Sequence, residues 1–233
     1  MQTAIDEQLA DLGRIHNARD YVYATNLLKG QNFSTDVMLG LKNQTKEDVK
    51  KTIELAHACG SKHISMYALK VEDGTPIFTD YLNGELPDDD EVAEMYEYGR
   101  QLLEEKGYKR YEISNFAKPG CRSQHNSIYW NDEKYLGLGP SAHSYDGNSR
   151  QWNISNLTKY IQLVNADIDP DPDMGRYYEK EILSTEDKFN EYVMTSLRTS
   201  WGCDIEKISA KYGSSYSEHF LKNVKKKCPT IIR

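Results

Sequence analysis

An α/β fold is the expectation from three features of the chain. Short apolar runs at Ser34–Leu41 and His63–Leu69 alternate with stretches whose apolar residues recur every three or four positions. The order strand, helix, strand implies a right-handed parallel crossover, because parallel neighbours need a long connection. Hydrophobic residues make up 38% of the 233 residues, and 17 tyrosines add apolar surface, enough for a core despite the low mean hydropathy.

Element by element, Leu9, Leu12 and Ile15, then Tyr21, Ala24 and Leu28, recur at helical spacing and predict two helices parted near His16–Asn17. Ser34–Leu41 is too short for a buried helix and reads as a buried strand, with Asp36 its odd residue. Thr45 followed by Asp48 is a capping-box analogue, and Val49, Ile53 and Ala56 carry a helix to a stop at Gly60. His63–Leu69 is the next strand. A loop through Gly74-Thr-Pro76 and Asn83-Gly84 leads to an acidic helix start at Pro87–Asp90, whose carboxylates suit the positive dipole end. Tyr108–Phe116, aromatic and β-branched, is expected to be a third strand, so that two β/α steps feed one sheet.

Ala117–Tyr145 loses periodicity and reads as irregular backbone dense in functional side chains. A helix at Asn156–Ala166 and an Asp/Pro-rich linker at Asp167–Asp173 follow. The remainder reads as helical: Glu179–Ile182, Thr185–Arg198, Asp204–Tyr212 and Tyr216–Lys227.

With 29 Lys+Arg against 36 Asp+Glu, a net charge of −7 disfavours a bare nucleic-acid or membrane-surface binder. No run approaches the roughly 20 apolar residues of a membrane span, and Met-Gln-Thr-Ala-Ile-Asp lacks signal-peptide features. Cys59, Cys121, Cys203 and Cys228 show no CxxC and no zinc-type Cys/His spacing, so they read as reduced thiols and the cytoplasm is the default location.

His125-Asn-Ser-Ile-Tyr-Trp130 places an imidazole within five residues of an amide, a phenol and an indole. Such a set can ligate a metal or stack on a flat aromatic ligand, haem included. The competing reading is a loop whose aromatics plug the core while His125 caps a backbone carbonyl. Asp36, costly if buried alone, needs a ligand amine or hydroxyl, a salt bridge to Arg14 or Arg19, or a place at the strand's mouth. Gly137-Leu-Gly-Pro-Ser141 matches no phosphate loop and reads as a tight turn. His57, His63 and His143 read as structural, and Ser123 and Ser141 lack a nucleophile elbow. The lysines of the last helices form either a solvated face or a helix-turn-helix DNA surface, the former favoured by the helix dipole.

Leu12-Gly-Arg-Ile-His-Asn17, Asp36-Val-Met-Leu-Gly-Leu41, Tyr111-Glu-Ile-Ser-Asn-Phe-Ala-Lys-Pro-Gly120, His125–Trp130 and Tyr135-Leu-Gly-Leu-Gly-Pro-Ser-Ala-His-Ser-Tyr145 together resemble the radical S-adenosylmethionine haem chaperones, the HemW family. These are relatives of the oxygen-independent coproporphyrinogen III oxidase. The resemblance implies a partial radical-SAM (β/α) barrel over residues 1–147, a connecting helix and linker over 148–178, and a mainly helical C-terminal domain over 179–233. It implies haem contacts at His125, Asn126, Tyr129 and Trp130, with His125 the ligand to the haem iron. S-adenosylmethionine contacts fall on Gln2, Arg14, Asp36 and Ala68. Gln2 and Arg14 could hold the methionyl carboxylate while Asp36 takes the amine or a hydroxyl.

The family holds a [4Fe-4S] cluster on a CxxxCxxC triad that this sequence lacks, so the chain reads as a fragment without the cluster-binding part, and reductive cleavage of S-adenosylmethionine is not expected of it. Lys42-Asn43 stands where the family has Pro-Gly. The function implied is haem binding and delivery to a haem-accepting protein, with transient membrane-protein contact allowed, oligomeric state open and no nucleic-acid partner. The alternatives are the coproporphyrinogen III oxidase and a C-terminal DNA-binding module.

Overall fold

A computed structural model describes residues 1–168 and 176–227. Its contacts divide the chain into two compact units, Met1–Ser123 and Gln124–Arg233.

The first unit runs α1 (Asp6–Asp11), α2 (Ala18–Leu27), β1 (Ser34–Leu39), α3 (Lys46–Ala58), β2 (His63–Ala68), α4 (Pro76–Leu82), α5 (Asp89–Glu105), β3 (Lys109–Arg110) and β4 (Asn115–Ala117). Reciprocal capping boxes start three of these helices. Asn17 pairs with Asp20 before α2, Thr45 with Asp48 before α3, and Asp88 with Glu91 before α5. Each satisfies backbone donors that a helix start leaves open. β1 and β2 are parallel, Ser34 opposite His63 and Leu39 opposite Ala68, as the strand-helix-strand order requires. Val37, Leu39, Ile64 and Phe116 from the sheet pack with Val49 and Ile53 of α3 and Leu103 of α5, all fully buried. Burying each such side chain contributes about 1.5–3 kcal/mol.

Two expectations for this unit fail. Tyr108–Phe116 is not one strand. It is a hairpin whose β4 runs antiparallel to β2, with Ser65 opposite Asn115, and the sheet order is β1-β2-β4-β3. Glu112 makes the reversal, its Oε1 accepting from the backbone N–H of Ser114 at 2.9 Å and from Asn115 Nδ2 at 2.5 Å. Local bonds of this kind compete with strand pairing. The expected loop between Gly74 and Gly84 contains α4, with Pro76 at its start, where the missing N–H costs nothing.

The second unit runs α6 (Gln124–Trp130), β5 (His143–Tyr145), β6 (Ser149–Asn153), α7 (Leu157–Ile168), β7 (Tyr178–Ile182), α8 (Thr185–Ser196), α9 (Ile205–Tyr212) and α10 (Ser214–Lys227). The segment expected to be irregular therefore holds a short helix, and Glu179–Ile182, expected to be helical, is strand. β7 pairs antiparallel with β6, which lies between β5 and β7. Arg150 stands opposite Glu181 across that pair, 3.8 Å away, and forks onto Glu191 of α8 at 2.8 Å on both branches. Pairing with β6 overrides a helix-favouring sequence. The sheet spans both expected boundaries, 147/148 and 178/179, while the compact units divide at Ser123/Gln124. The linker from Asp169 to Asp173 and the Cys228–Arg233 tail lie outside the described residues.

The three helices α8–α10 follow expectation and pack around Phe189, Tyr192, Ile208 and Tyr212. Ser184 and Asp187 form the box that starts α8. No helix among the described residues is long and apolar enough to cross a membrane.

A buried glutamine ties β1 to α3. Gln44 Oε1 accepts from the N–H groups of Gly40 and Leu41 at 2.8 and 3.3 Å, and its Nε2 donates to the Met38 carbonyl at 2.9 Å. Gln44→Ala strands two buried N–H groups and a half-buried carbonyl and is expected to lower unfolding free energy by about 2–3 kcal/mol. Urea denaturation with an unchanged m-value measures this, and a shift below about 0.5 kcal/mol would show that the connection holds without the latch.

Candidate functional site

Two groups of expected site residues sit in the two units. In the first, strand alternation decides the geometry. Thr35, Val37 and Leu39 are buried, whereas Ser34 and Asp36 are exposed. Asp36 thus avoids a solitary burial, and register sets it beside Ser65, itself beside Asn115. Arg14 follows the C-terminus of α1, where Gly13 adopts φ 67° and the Gly13 and Arg14 N–H groups bond the Ala10 and Leu9 carbonyls at 2.8 and 2.9 Å. That is a Schellman turn, which delivers the arginine at a fixed point of the chain.

Asp36 and Arg14 both contribute to the electrostatics of the Met1 amine. Burial lowers the pKa of the Met1 amine, Asp36 opposes that shift and Arg14 reinforces it. The Gln2 carbonyl accepts from Met38 N–H at 2.8 Å, so residues 1–3 run beside β1. The Gln2 side-chain oxygen is buried and has no partner among the described residues. Ala68 is exposed at the carboxyl end of β2 but shares its row with Leu39, whose side chain belongs to the helix-covered face. Gln2 runs beside β1, the strand that carries Asp36, and Ala68 lies at the neighbouring strand end.

His63 is structural, as expected. Its Nδ1 bonds Ser34 Oγ at 2.6 Å and its Nε2 bonds the Tyr111 hydroxyl at 2.8 Å. Burial lowers its pKa from the ordinary 6.5, with the Asp36 carboxylate pulling the other way. Below about pH 6.5 the unfolded chain binds a proton that the folded chain resists, so this contribution is whole above about 6.5 and shrinks as pH falls. The unfolding free energy of the native chain is expected to fall more steeply from about pH 7.5 to 5 than that of His63→Gln. Equal slopes would remove His63 as the cause.

The donors of a metal cluster are not assembled here. Cys59 lies at the C-cap of α3, Cys121 follows β4 and Cys203 precedes α9. Among the described residues no group of three His, Cys, Asp or Glu side chains could hold a metal ion. The described residues therefore do not fit an iron-sulfur cluster.

In the second unit, α6 puts His125 and Tyr129 one turn apart on the same face. Their rings meet edge to face at 5.2 Å, and the Tyr129 hydroxyl bonds His125 Nε2 at 3.2 Å. Tyr129 rests on Tyr135 at 4.7 Å, and Tyr135 on Tyr145 at 6.0 Å. Tyr145 donates to Asp132 at 2.8 Å, and Lys211 of α9 pairs with the same carboxylate. Burial, before the Asp132 contact, raises the Tyr145 pKa, so this phenol stays a donor. His125 and Tyr129 are exposed while Asn126 and Trp130 are half-buried. The imidazole thus faces solvent and bonds a phenol, unlike the reading in which it caps a backbone carbonyl.

Two residues near this motif went unread in the sequence. Tyr135 supports Tyr129, and the Arg198 guanidinium lies over the Trp130 ring, 5.0 Å from its centroid. The Trp130 indole N–H is buried and has no acceptor among the described residues. Arg198 follows α8, far along the chain, and no local pattern marks it.

The Gly137–Ser141 segment is a tight turn, as expected. A Cβ at Gly137 would lie 2.2 Å from the His143 carbonyl oxygen, and its N–H donates to Ser144 Oγ at 2.9 Å. Gly137→Ala must push β5 away and is expected to cost about 1–3 kcal/mol, read as a lower thermal midpoint. An unchanged midpoint would mean that the contact yields freely.

These placements can be set beside known proteins. The chain is 34% identical over 220 residues to the heme chaperone HemW of Bacillus subtilis, covering 92% of this chain and 56% of that one. It is 30% identical over 223 residues to HemW of Lactococcus lactis, covering 94% and 57%. The chain belongs to the HemW-like branch of the radical SAM proteins. Its fold is that of the coproporphyrinogen III oxidase HemN of Escherichia coli, a radical SAM enzyme, with a TM-score of 0.76 over 98% of this chain and 55% of that one, at 18% identity. The partial radical-SAM α/β fold with helices following it is therefore established. No protein-family model matches the chain. The chain spans about half the length of the HemW relatives it matches.

Proposed function

We propose that this HemW-like chain binds haem on α6 and serves its delivery to a haem-accepting protein in the cytoplasm. One observation carries the reading: His125 stands in solvent on a helix face, braced through its ring by Tyr129. A solvent-facing imidazole with an aromatic neighbour can ligate haem iron and cover part of a macrocycle. Asn126 and Trp130 flank it on the same two-turn helix. Haem is cargo here, consistent with the names of the HemW relatives.

A second part of the reading assigns S-adenosylmethionine to the first unit. Asp36 and Arg14, which both act on the Met1 amine, supply a carboxylate for the ligand's amine or hydroxyl and a guanidinium for its carboxylate. The unmet Gln2 oxygen offers a further acceptor beside them, and Ala68 contributes at the end of β2. S-adenosylmethionine supplies radical chemistry only in the presence of a reduced cluster. No group of three His, Cys, Asp or Glu side chains among the described residues fits such a cluster, so the reading for these residues is binding of the cofactor alone.

Titration of the chain with ferric protoporphyrin IX tests the main claim. A Soret band characteristic of histidine-ligated iron is expected, and His125→Ala should lose that band and weaken binding at least about tenfold. An identical spectrum in His125→Ala would sink the assignment. Tighter binding of coproporphyrinogen III than of haem would favour the oxidase alternative.

A further inference from the structure

A cleft of about 350 Å³ opens at the end of the β5-β6-β7 sheet, lined by Ser141, His143, Trp152, Asn153, Ser155 and Glu179. It shares no residue with the haem motif or with the first unit. Cross-strand register builds it: His143 stands opposite Trp152 and Trp152 opposite Glu179, so an imidazole, an indole and a carboxylate form one row on one face of the sheet. The two rings are tilted by 30° with centroids 6.2 Å apart, which gives the cleft an aromatic wall with the carboxylate on its far side.

Two acceptors of the cleft are unmet. Glu179 is exposed and makes no ion pair among the described residues. Asn153 is 4% exposed, and its Nδ2 donates to the Gly139 carbonyl at 2.9 Å and reaches that of Gly137 at 3.5 Å. Those bonds fix the orientation of the amide and leave its Oδ1 as an acceptor with no donor among the described residues, where buried acceptors are ordinarily paired. One row along the same face, the chain fills the corresponding place itself, with Arg150 opposite Glu181 and forked onto Glu191. The cations nearest to Glu179 in the chain are used elsewhere, Arg176 over the Tyr178 ring and Lys180 with Asp146.

We propose that this cleft binds a guanidinium group, laid on the Trp152 ring and forked onto the Glu179 carboxylate. A guanidinium is flat and cationic, so it stacks on an indole face, and its paired N–H groups match the two oxygens of a carboxylate. It donates and never accepts, which suits a site whose unmet groups are both acceptors. An ammonium has neither the plane nor the fork, and an anion would meet Glu179 head on. A free guanidino compound and an arginine of a partner protein offer the same chemistry.

Nuclear magnetic resonance of the full chain with isotope-labelled tryptophan tests this through the indole N–H signals of its three tryptophans. Trp152→Phe identifies the Trp152 signal, and thermal melts confirm that each variant folds. N-acetyl-arginine amide is titrated beside its citrulline counterpart, planar but uncharged, and its lysine counterpart, charged but not planar. The arginine compound should shift the Trp152 signal saturably, and the other two should bind at least about fivefold more weakly. Glu179→Gln should weaken the arginine compound about fivefold or more, while Glu181→Gln, one row away, should leave it at the native value. A Trp152 signal that does not move, or equal binding of the arginine and citrulline compounds, would overturn the proposal. So would unchanged binding in Glu179→Gln, or equal losses in Glu179→Gln and Glu181→Gln, which would reduce the effect to bulk charge. A capped Gly-Arg-Gly peptide and free arginine then separate the sources. Tighter binding of the peptide assigns the cleft to an arginine of a partner protein, and tighter binding of the amino acid assigns it to a small guanidino compound.

Discussion

Because Val37 and Leu39 have to lie under α3 and α5, the alternate side chains of β1, Asp36 among them, have to face the other way. The polar row of the sheet follows from that alternation. Ser34 shares the face of Asp36 and bonds His63; Ser65 and Asn115 continue the row across β2 and β4. The helix-covered side supplies the hydrophobic stabilisation, and the opposite side is left with carboxylate, hydroxyl and amide groups. A one-residue slip of β1 would bury the carboxylate and expose the valine, so the apolar packing fixes where the ligand-facing chemistry stands.

In the second unit the ordering element is the ladder of rings beneath α6. Tyr135 and Tyr145 exchange backbone hydrogen bonds at 3.0 and 2.9 Å, which fixes the spacing of their rings, and Tyr129 leans on the outer one. Asp132, with a left-handed φ of 59°, turns the chain sharply after the helix so that Tyr135 can return beneath it. Its carboxylate is held by Tyr145 and Lys211, which ties the turn to β5 and to α9.

Legibility followed the range of the interactions. The capping boxes at Thr45 and Ser184 lie within four residues, and the helices they start were readable apart from their exact ends. The parallel β1–β2 crossover was readable too, because apolar runs and helical spacing are local patterns. The hairpin around Glu112 was not, since a run of aromatic and β-branched residues gives no sign that a carboxylate will fold back on the residues two and three positions ahead. Nor was β7, where Glu and Lys favour helix in isolation and only the opposed Arg150 and the edge of β6 make strand the better state. At the site, the i, i+4 pairing of His125 and Tyr129 was implicit in the spacing once the segment is helical. The approach of Arg198 to Trp130 depends on the packing of α6 against α8 and has no local signature.

The seven residues of α6 amount to about two turns, well below the length at which a helix persists alone in water. Its imidazole and phenol keep their mutual orientation because distant segments support them: Tyr135 under Tyr129, and Asp132 pinned from two sides. Cut out as a peptide, the six residues from His125 to Trp130 would lose that arrangement and become a flexible chain with a histidine in it. Their chemistry is a property of the surrounding architecture and cannot be carried to another scaffold as a short tag.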